Sequence, residues 1–300
     1  MPIPSFFTAK RLPAAPAAGR RRALALLALL LAGSLAQAQT ELTGLDKIQA
    51  SGTLKVAVYK ENAPFSDGPA AEMRGLDIDI AKALAKQMQL KLTLLPFDAG
   101  ENMNDDLRNM VWRGHYLGYG PADIMMHVPV DKYLIQQNRQ VLIFAPYMRQ
   151  TQVLLHDTRV LPQVNGPEDL KGFKLAVESG TGSASVLMGH KDGMLRSDVN
   201  IYNTSTQAVM AVVDGKAAAA YVMRSQAESV LSQVKSEPKH WAMTPMPLTG
   251  VPENGWPLGI AIKADAKELG QALEQALQAL RSSGELPAIF KQNGMTLTAP

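Results

Sequence analysis

The sequence contains no cysteine. That excludes a disulfide scaffold, thiolate-held zinc or iron–sulfur centres, a cysteine nucleophile and a lipid anchor on an N-terminal cysteine. Aromatic residues make up only 6% of the chain, and no basic–aromatic stripe is present that could track a nucleic acid. The five histidines, His115, His127, His156, His190 and His240, show neither HxH nor HExxH spacing, so no histidine-built metal site is expected. There is no G-x-S-x-G motif and no P-loop, and no cofactor is expected. The unbroken apolar run Ala23 to Ala32 is ten residues, against the roughly 20 that a membrane helix needs. No repeat at 20–50 residues and no low-complexity stretch follows it.

What is present begins with an export signal. Residues 1–38 carry Lys10, Arg11, Arg20, Arg21 and Arg22 and no acid. The apolar run follows, then Ala36-Gln37-Ala38, the small-x-small pattern of a signal-peptidase site. This predicts a cleaved signal over 1–38 and a periplasmic protein without lipid anchor. The whole chain is net +3, but those five cations lie in the signal. Without them, 25 basic residues face 27 acidic ones, so nucleic acid is not an expected partner. The remaining 262 residues are enough for about two domains.

Strand and helix patterns then alternate. Leu54–Tyr59 reads as a strand, followed by the turn-rich segment Asn62–Gly68. Asp77–Gln89 places Ile80, Leu84 and Met88 on one helix face. Lys91–Leu95 reads as a strand, Asn104–Arg113 as a helix and Ala122–Met126 as a buried strand. Residues 53–126 thus spell βαβαβ, the pattern of a parallel α/β layer. A second unit starts after Pro146: strands at Gln152–Leu155, Lys174–Val177 and Ala219–Val222, with helices after Gly180-Thr181-Gly182-Ser183, over Thr206–Val213 and around Ser225–Val234. Gly259–Lys263 is a late strand, and Lys267–Ser282 carries Leu269, Leu273, Leu277 and Leu280 on one stripe.

Several of these segments together resemble a known family. Leu54-Lys55-Val56-Ala57-Val58 with Pro64-Phe65-Ser66 matches its first strand and loop. Gly75-Leu76-Asp77-Ile78-Asp79-Ile80-Ala81-Lys82-Ala83-Leu84 is similar to "GFDVDLAKAL". Asp123-Ile124-Met125-Met126 stands for "D-hydrophobic-hydrophobic", and Pro146-Tyr147 for the crossover "PYY". Asp169–Val177 with Gly180-Thr181 matches "DLKGKKVAVQxGT". In this order they resemble the type II periplasmic solute-binding proteins, extracellular family 3. The resemblance implies an α/β fold of two lobes, each a mainly parallel sheet flanked by helices, with two crossover strands as hinge. It places lobe 1 at 39–147 plus 257–300 and lobe 2 at 148–256. The implied function is capture of a small polar or anionic solute in the interlobe cleft and its presentation to an ABC permease, by a protein expected to be a monomer and not an enzyme. A few proteins of this fold act as dehydratases on cyclic carboxylic acids, but no matching acid–arginine set is found.

The departures bear on the ligand. Amino-acid receptors of the family carry an arginine after the "D-φ-φ" strand, which pairs with the ligand's α-carboxylate. This chain has His127-Val128-Pro129-Val130-Asp131-Lys132-Tyr133 there. The lobe 2 aspartate for the α-ammonium is replaced by Met223. An ordinary amino acid is therefore not the expected ligand. Asp123–Pro129 is also similar to "DVVMGVP", and Pro146-Tyr147-Met148-Arg149 to "PYYRS", patterns of a branch associated with quinoprotein (PQQ-dependent) alcohol dehydrogenases, the methanol-oxidation J proteins. That implies an alternative: an accessory or maturation protein for a periplasmic quinoprotein dehydrogenase.

Candidate ligand contacts are Tyr59, Asn62 and Phe65 after the first strand, His127, Arg149 past the crossover, and Gly180, Thr181 and Ser183 at a helix start. Several have a structural alternative. Phe65 can cap its own lobe's core, His127 can be a satisfied structural histidine, and Arg149 can form a hinge ion pair. Thr181 or Ser183 can simply cap the helix. Trp112, Arg113, His115, Tyr116 and Tyr119 form an aromatic-rich loop suited to partner contact, unless Trp112 and a tyrosine pack inward. Asp105-Asp106 fits the first turn of a helix.

Overall fold

The computed structural model describes residues 44–235 and 240–300; the expected signal at 1–38 lies outside the described residues. The chain enters through α1 (Gly44–Ser51) and β1 (Thr53–Tyr59), then α2 (Leu76–Gln87), β2 (Lys91–Phe97) and α3 (Met103–Leu107). β3 (Ile124–Pro129), α4 (Lys132–Gln137) and β4 (Val141–Gln150) follow. A second run consists of β5 (Gln152–Asp157), β6 (Leu175–Glu178), α5 (Gly182–Gly189), β7 (Val199–Tyr202), α6 (Ser205–Val213), β8 (Ala219–Met223), α7 (Arg224–Gln233) and β9 (Trp241–Thr244). The chain returns through β10 (Trp256–Lys263), α8 (Lys267–Ser282) and α9 (Glu285–Gln292).

Two five-stranded sheets result, ordered β2-β1-β3-β10-β4 and β7-β6-β8-β5-β9. Each is mixed in the same way. Strands β2-β1-β3 and β7-β6-β8 are parallel, and the two strands beyond them are antiparallel. The expectation of a mainly parallel sheet thus describes three strands of each; the return strand β10 and strand β5 add the antiparallel pairs. Strand β1, covered on both faces, buries Val56, Ala57 and Val58 consecutively, as a central parallel strand must.

On one face of the first sheet, α2, α8 and α9 close a core that includes Leu84, Leu273, Leu277 and Phe290. The leucine stripe of α8 is fully inside: Leu269, Leu273, Leu277 and Leu280 are all 2% exposed or less. Each such side chain contributes about 1.5–3 kcal/mol of burial. The other face packs Leu107, Met110, Val111 and Met125. The second sheet is likewise covered on both faces, by clusters around Leu187 and around Val209.

Helix Asn104–Arg113 is a correction. The α-helix ends at Leu107 and continues as a π-helical turn over Arg108–Trp112. The wider turn keeps both Met110 and Val111 in the core.

Candidate functional site

The loop after β1 folds back on itself. Asn62 and Ser66 form a bridge, as do Asp67 and Arg74. The backbone N–H groups of Leu76 and Asp77 then donate to the carbonyls of Pro64 and Phe65, at 3.0 and 2.9 Å. Gly75 has φ +123, and a Cβ there would press into those same carbonyls; only glycine lets α2 begin against the loop. Phe65 is carried into the core, 1% exposed. Tyr59 is held away from free contact, its hydroxyl donating to Asp106 Oδ2 at 2.8 Å. Burial raises the Tyr59 hydroxyl's pKa, with the Asp106 charge adding to it. Burial also raises the Asp106 carboxyl, against the pull of the Gly100 N–H and Tyr59. Asp105 and Asp106 do sit in the first turn of α3.

His127 is the centre of a buried network. Its Nδ1 lies 2.9 Å from Asp77 Oδ2, and its backbone N–H donates to the Tyr147 hydroxyl at 3.1 Å. The Tyr147 hydroxyl in turn donates to Asp77 Oδ1 at 2.7 Å. Asp77 and Tyr147 are buried. Nδ1 is thus tied to the Asp77 carboxyl, and no described hydrogen bond engages Nε2. The Phe65 ring lies against the imidazole, centroids 4.4 Å apart. The backbone of His127 is left-handed, φ +63, a conformation that costs a non-glycine residue about 1–2 kcal/mol. The network holds the histidine there. Burial pushes the Tyr147 hydroxyl well above the usual phenol range, and the Asp77 charge pushes it further. The sequence alone does not mark Asp77 and Tyr147 as site residues; they lie 50 and 20 positions from His127, and only the fold joins them.

In the second sheet, β6, β7 and β8 are parallel, so their carboxyl ends share one edge, where such sheets bind ligands. Glu178 ends β6 there. It is half-buried, and burial holds its carboxyl above the ordinary carboxylate value, opposed by hydrogen bonds from the Ser205 backbone and side chain. Thr181 caps α5: its Oγ1 accepts from Ala184 N–H at 3.2 Å and donates to the Glu178 carbonyl at 2.8 Å. Gly180, at φ +72, supplies the turn before it. The Ser183 hydroxyl accepts from Gln152 Nε2 at 2.9 Å. Met223 ends β8 at the same edge.

Arg149 lies at the crossover. Its Nη1 donates to the Asn254 carbonyl at 3.2 Å, and its backbone N–H to the Thr298 carbonyl at 2.9 Å. Gly255 (φ +63) sits beside it, where any Cβ would collide with the Gln150 carbonyl. The terminal segment spans the same region. Asn293 donates to Asp79 at 3.1 Å, and Thr296 N–H to Glu228 Oε2 at 2.7 Å. A Cβ on Gly294 would overlap Ser232 of α7.

Between the two sheets' units lies a groove of about 980 Å³. Pro64, Arg74 and Gly75 line it from one side, Thr206, Gln226 and Ser229 from the other. The two buried networks flank it: Pro64 and Gly75 adjoin Phe65 and Asp77, and Thr206 follows Ser205. Of the residues proposed from sequence as ligand contacts, none lines this groove directly; Phe65 and His127 are joined to each other behind it, whereas Arg149 belongs to the crossover. The aromatic loop stands apart. His115 stacks between Tyr116 and Tyr119, at 4.4 and 4.2 Å. Trp112 and Tyr119 pack on the core, while Arg113 is exposed and Tyr116 is 88% exposed. His156 is structural, with both ring nitrogens bonded, to the Leu161 carbonyl and Thr244 Oγ1. Among the described residues no group of three or more His, Asp or Glu is placed to hold a metal ion.

Comparison with solved structures settles the architecture. An ancestral cationic amino acid solute binding protein superimposes with a TM-score of 0.65 at 24% identity, covering 83% of this chain and 99% of that one. The fold is that of the two-lobed periplasmic binding proteins. A polar amino acid ABC uptake transporter substrate binding protein from Streptococcus thermophilus gives a TM-score of 0.63 at 17% identity, covering 88% and 94%. Among curated proteins, the ABC transporter arginine-binding protein 1 of Escherichia coli (strain K12) is 25% identical over 230 residues, 76% of this chain and 85% of that protein. Cyclohexadienyl dehydratase of Pseudomonas aeruginosa is 39% identical over 88 residues, 28% of this chain and 31% of the enzyme. No family model matches the chain. No helix among the described residues is long and apolar enough to cross a membrane.

Proposed function

We propose that this chain is an exported, non-enzymatic solute-binding protein that captures a small polar solute between its lobes and presents the closed form to an ABC permease. The lobes are 39–147 with 257–300, and 148–256, and the protein works after removal of residues 1–38. The observation that carries this reading is the groove lined from both lobes beside a glycine-bearing crossover. A solute that touches both walls stabilises the closed arrangement in proportion to the contacts it makes only there. The transport proteins among the relatives support the same reading. The usual arginine and aspartate clamp is absent, so the solute is held by other groups, such as Arg74 from one wall of the groove and Gln226 from the other.

A thermal-shift panel of amino acids, polyamines, carboxylates and alcohols tests this. A solute at 100 times its dissociation constant adds about 2.7 kcal/mol of stability, a clear rise in melting temperature. Silence across the panel at millimolar concentration contradicts the reading. A second reading is favoured by the exposure of Tyr116 and Leu117, 88% and 67%: docking to a periplasmic quinoprotein dehydrogenase through the 112–119 loop. Loss of co-purification with such an enzyme on Tyr116→Ser would support it.

A further inference from the structure

The segment after α9 belongs to one lobe and grips the other. Met295 and Leu297 pack into the core of the first sheet, and Asn293 donates to Asp79 Oδ2 of α2 at 3.1 Å. The Thr298 carbonyl accepts from the Arg149 N–H near the end of β4, at 2.9 Å. These contacts fix residues 293–298 to the lobe that holds β1. Helix α7 belongs to the other lobe: Ala227, Val230 and Leu231 pack in the cluster that covers one face of the second sheet.

Two contacts join the segment to α7. The Thr296 N–H donates to Glu228 Oε2 at 2.7 Å, and the Glu228 side chain is only 10% exposed. Hydrogen bonds to a carboxylate are among the stronger ones, more so away from water. Four residues further along the same helix face, Gly294 lies so close to Ser232 that a Cβ would overlap it. Glu228 does not need the second lobe for its own helix. Its Oε1 already accepts from Arg224 Nε within α7, at 2.8 Å, which leaves Oε2 for Thr296. The grip stands at the groove, which Gln292 and Asn293 line from one lobe and Gln226, Ser229 and Ser232 from the other. The crossover strands are covalent and persist at any angle between the lobes. A hydrogen bond between facing walls lasts only while the walls stay together, so its free energy favours the narrowed arrangement.

We propose that residues 294–296 form a latch on α7, with Glu228 as its catch, that biases the unliganded protein towards a narrowed groove. This goes beyond the solute-binding reading and does not depend on which solute is bound. A groove already narrowed by the latch raises the fraction of molecules competent to bind, and apparent affinity rises with that fraction.

The test needs no solute. Dyes on Asp67→Cys and Lys235→Cys, on opposite walls of the groove, report the cross-groove distance by single-molecule energy transfer in the parent and in Glu228→Ala, Glu228→Gln and Arg224→Ala. Loss of one charge-assisted bond is expected to move the ratio of narrow to wide forms about 10-fold towards wide in Glu228→Ala. The shift is expected to be smaller in Glu228→Gln, whose amide oxygen can still accept from Thr296, and absent in Arg224→Ala, which keeps the Thr296 bond. An unchanged distribution in Glu228→Ala overturns the proposal. So does an equal shift in Arg224→Ala, which would assign the effect to the helix's own ion pair. Amide exchange in the parent tests the latch without any substitution of its residues. The Thr296 N–H is expected to exchange about 10-fold or more below the unprotected rate, and exchange at the unprotected rate overturns the latch. Because no solute enters either measurement, failure of the latch and failure of the solute-binding reading are separate results.

Discussion

Replacing Tyr147 by phenylalanine removes one oxygen and leaves the ring in place. That oxygen donates to Asp77 Oδ1 at 2.7 Å and accepts from the His127 N–H at 3.1 Å. No cavity of consequence opens, so the loss is one of polar satisfaction. A hydrogen bond to a charged group contributes about 1.5–3 kcal/mol, and an orphaned buried donor costs about 1–3 kcal/mol. Tyr147→Phe should therefore destabilise by about 2.5–6 kcal/mol. Tyr221 in the other lobe is an internal control. It is equally buried, but its hydroxyl donates to a neutral carbonyl, that of Met246, at 3.0 Å. Tyr221→Phe should cost about 1 kcal/mol. For a chain of this size, each kcal/mol moves the melting temperature by about 2–4 °C, so calorimetry separates the two variants easily. Equal losses, or a Tyr147→Phe loss below about 1 kcal/mol, would refute the claim that this hydroxyl sustains a charged network.

Three further outcomes follow from the same geometry. His127→Gly and His127→Ala remove the same contacts but differ in their tolerance of φ +63; the glycine variant should be about 1 kcal/mol more stable in urea denaturation, and the reverse order would contradict the left-handed backbone. Gly294→Ala should cost about 1–3 kcal/mol, because its Cβ meets Ser232, and Ser232→Gly should recover part of the loss; an additive double variant would argue against that contact. Burial raises the carboxyls of Asp106, Asp123 and Glu178, so the folded chain holds protons that the unfolded chain has released. Their contribution to stability is greatest below the ordinary carboxylate pKa of about 4 and declines as pH rises through the raised values. Asp123→Asn should flatten that decline in urea midpoints measured from pH 4 to 7; a steeper decline would reverse the sign.

The parts of the fold legible in sequence are those whose side chains repeat in step with the backbone. The stripe Leu269, Leu273, Leu277 and Leu280 marks helix Lys267–Ser282 to the residue, and Val56-Ala57-Val58 marks the buried centre of β1. Strand β4 shows in the sequence only as the crossover Pro146-Tyr147, since a proline inside it disguises ten residues of strand. The short strands β7 and β9 are half-exposed and carry little pattern. For the site, the helix start at Thr181 was readable because capping is local. The His127–Asp77–Tyr147 network was not, because its members come from three distant segments. His127 stands where the quoted "DVVMGVP" pattern has glycine, and φ +63 gives the physical reason a glycine suits that position.

The absence of cysteine allows a direct test of lobe closure. Asp67→Cys and Lys235→Cys place a unique dye pair on opposite walls of the groove, and energy transfer between the dyes can be followed while the solute panel is titrated. The account predicts that a solute which raises the melting temperature also shortens the cross-groove distance in a saturable way at the same midpoint. A bound solute that leaves this distance unchanged would contradict capture by closure of the lobes.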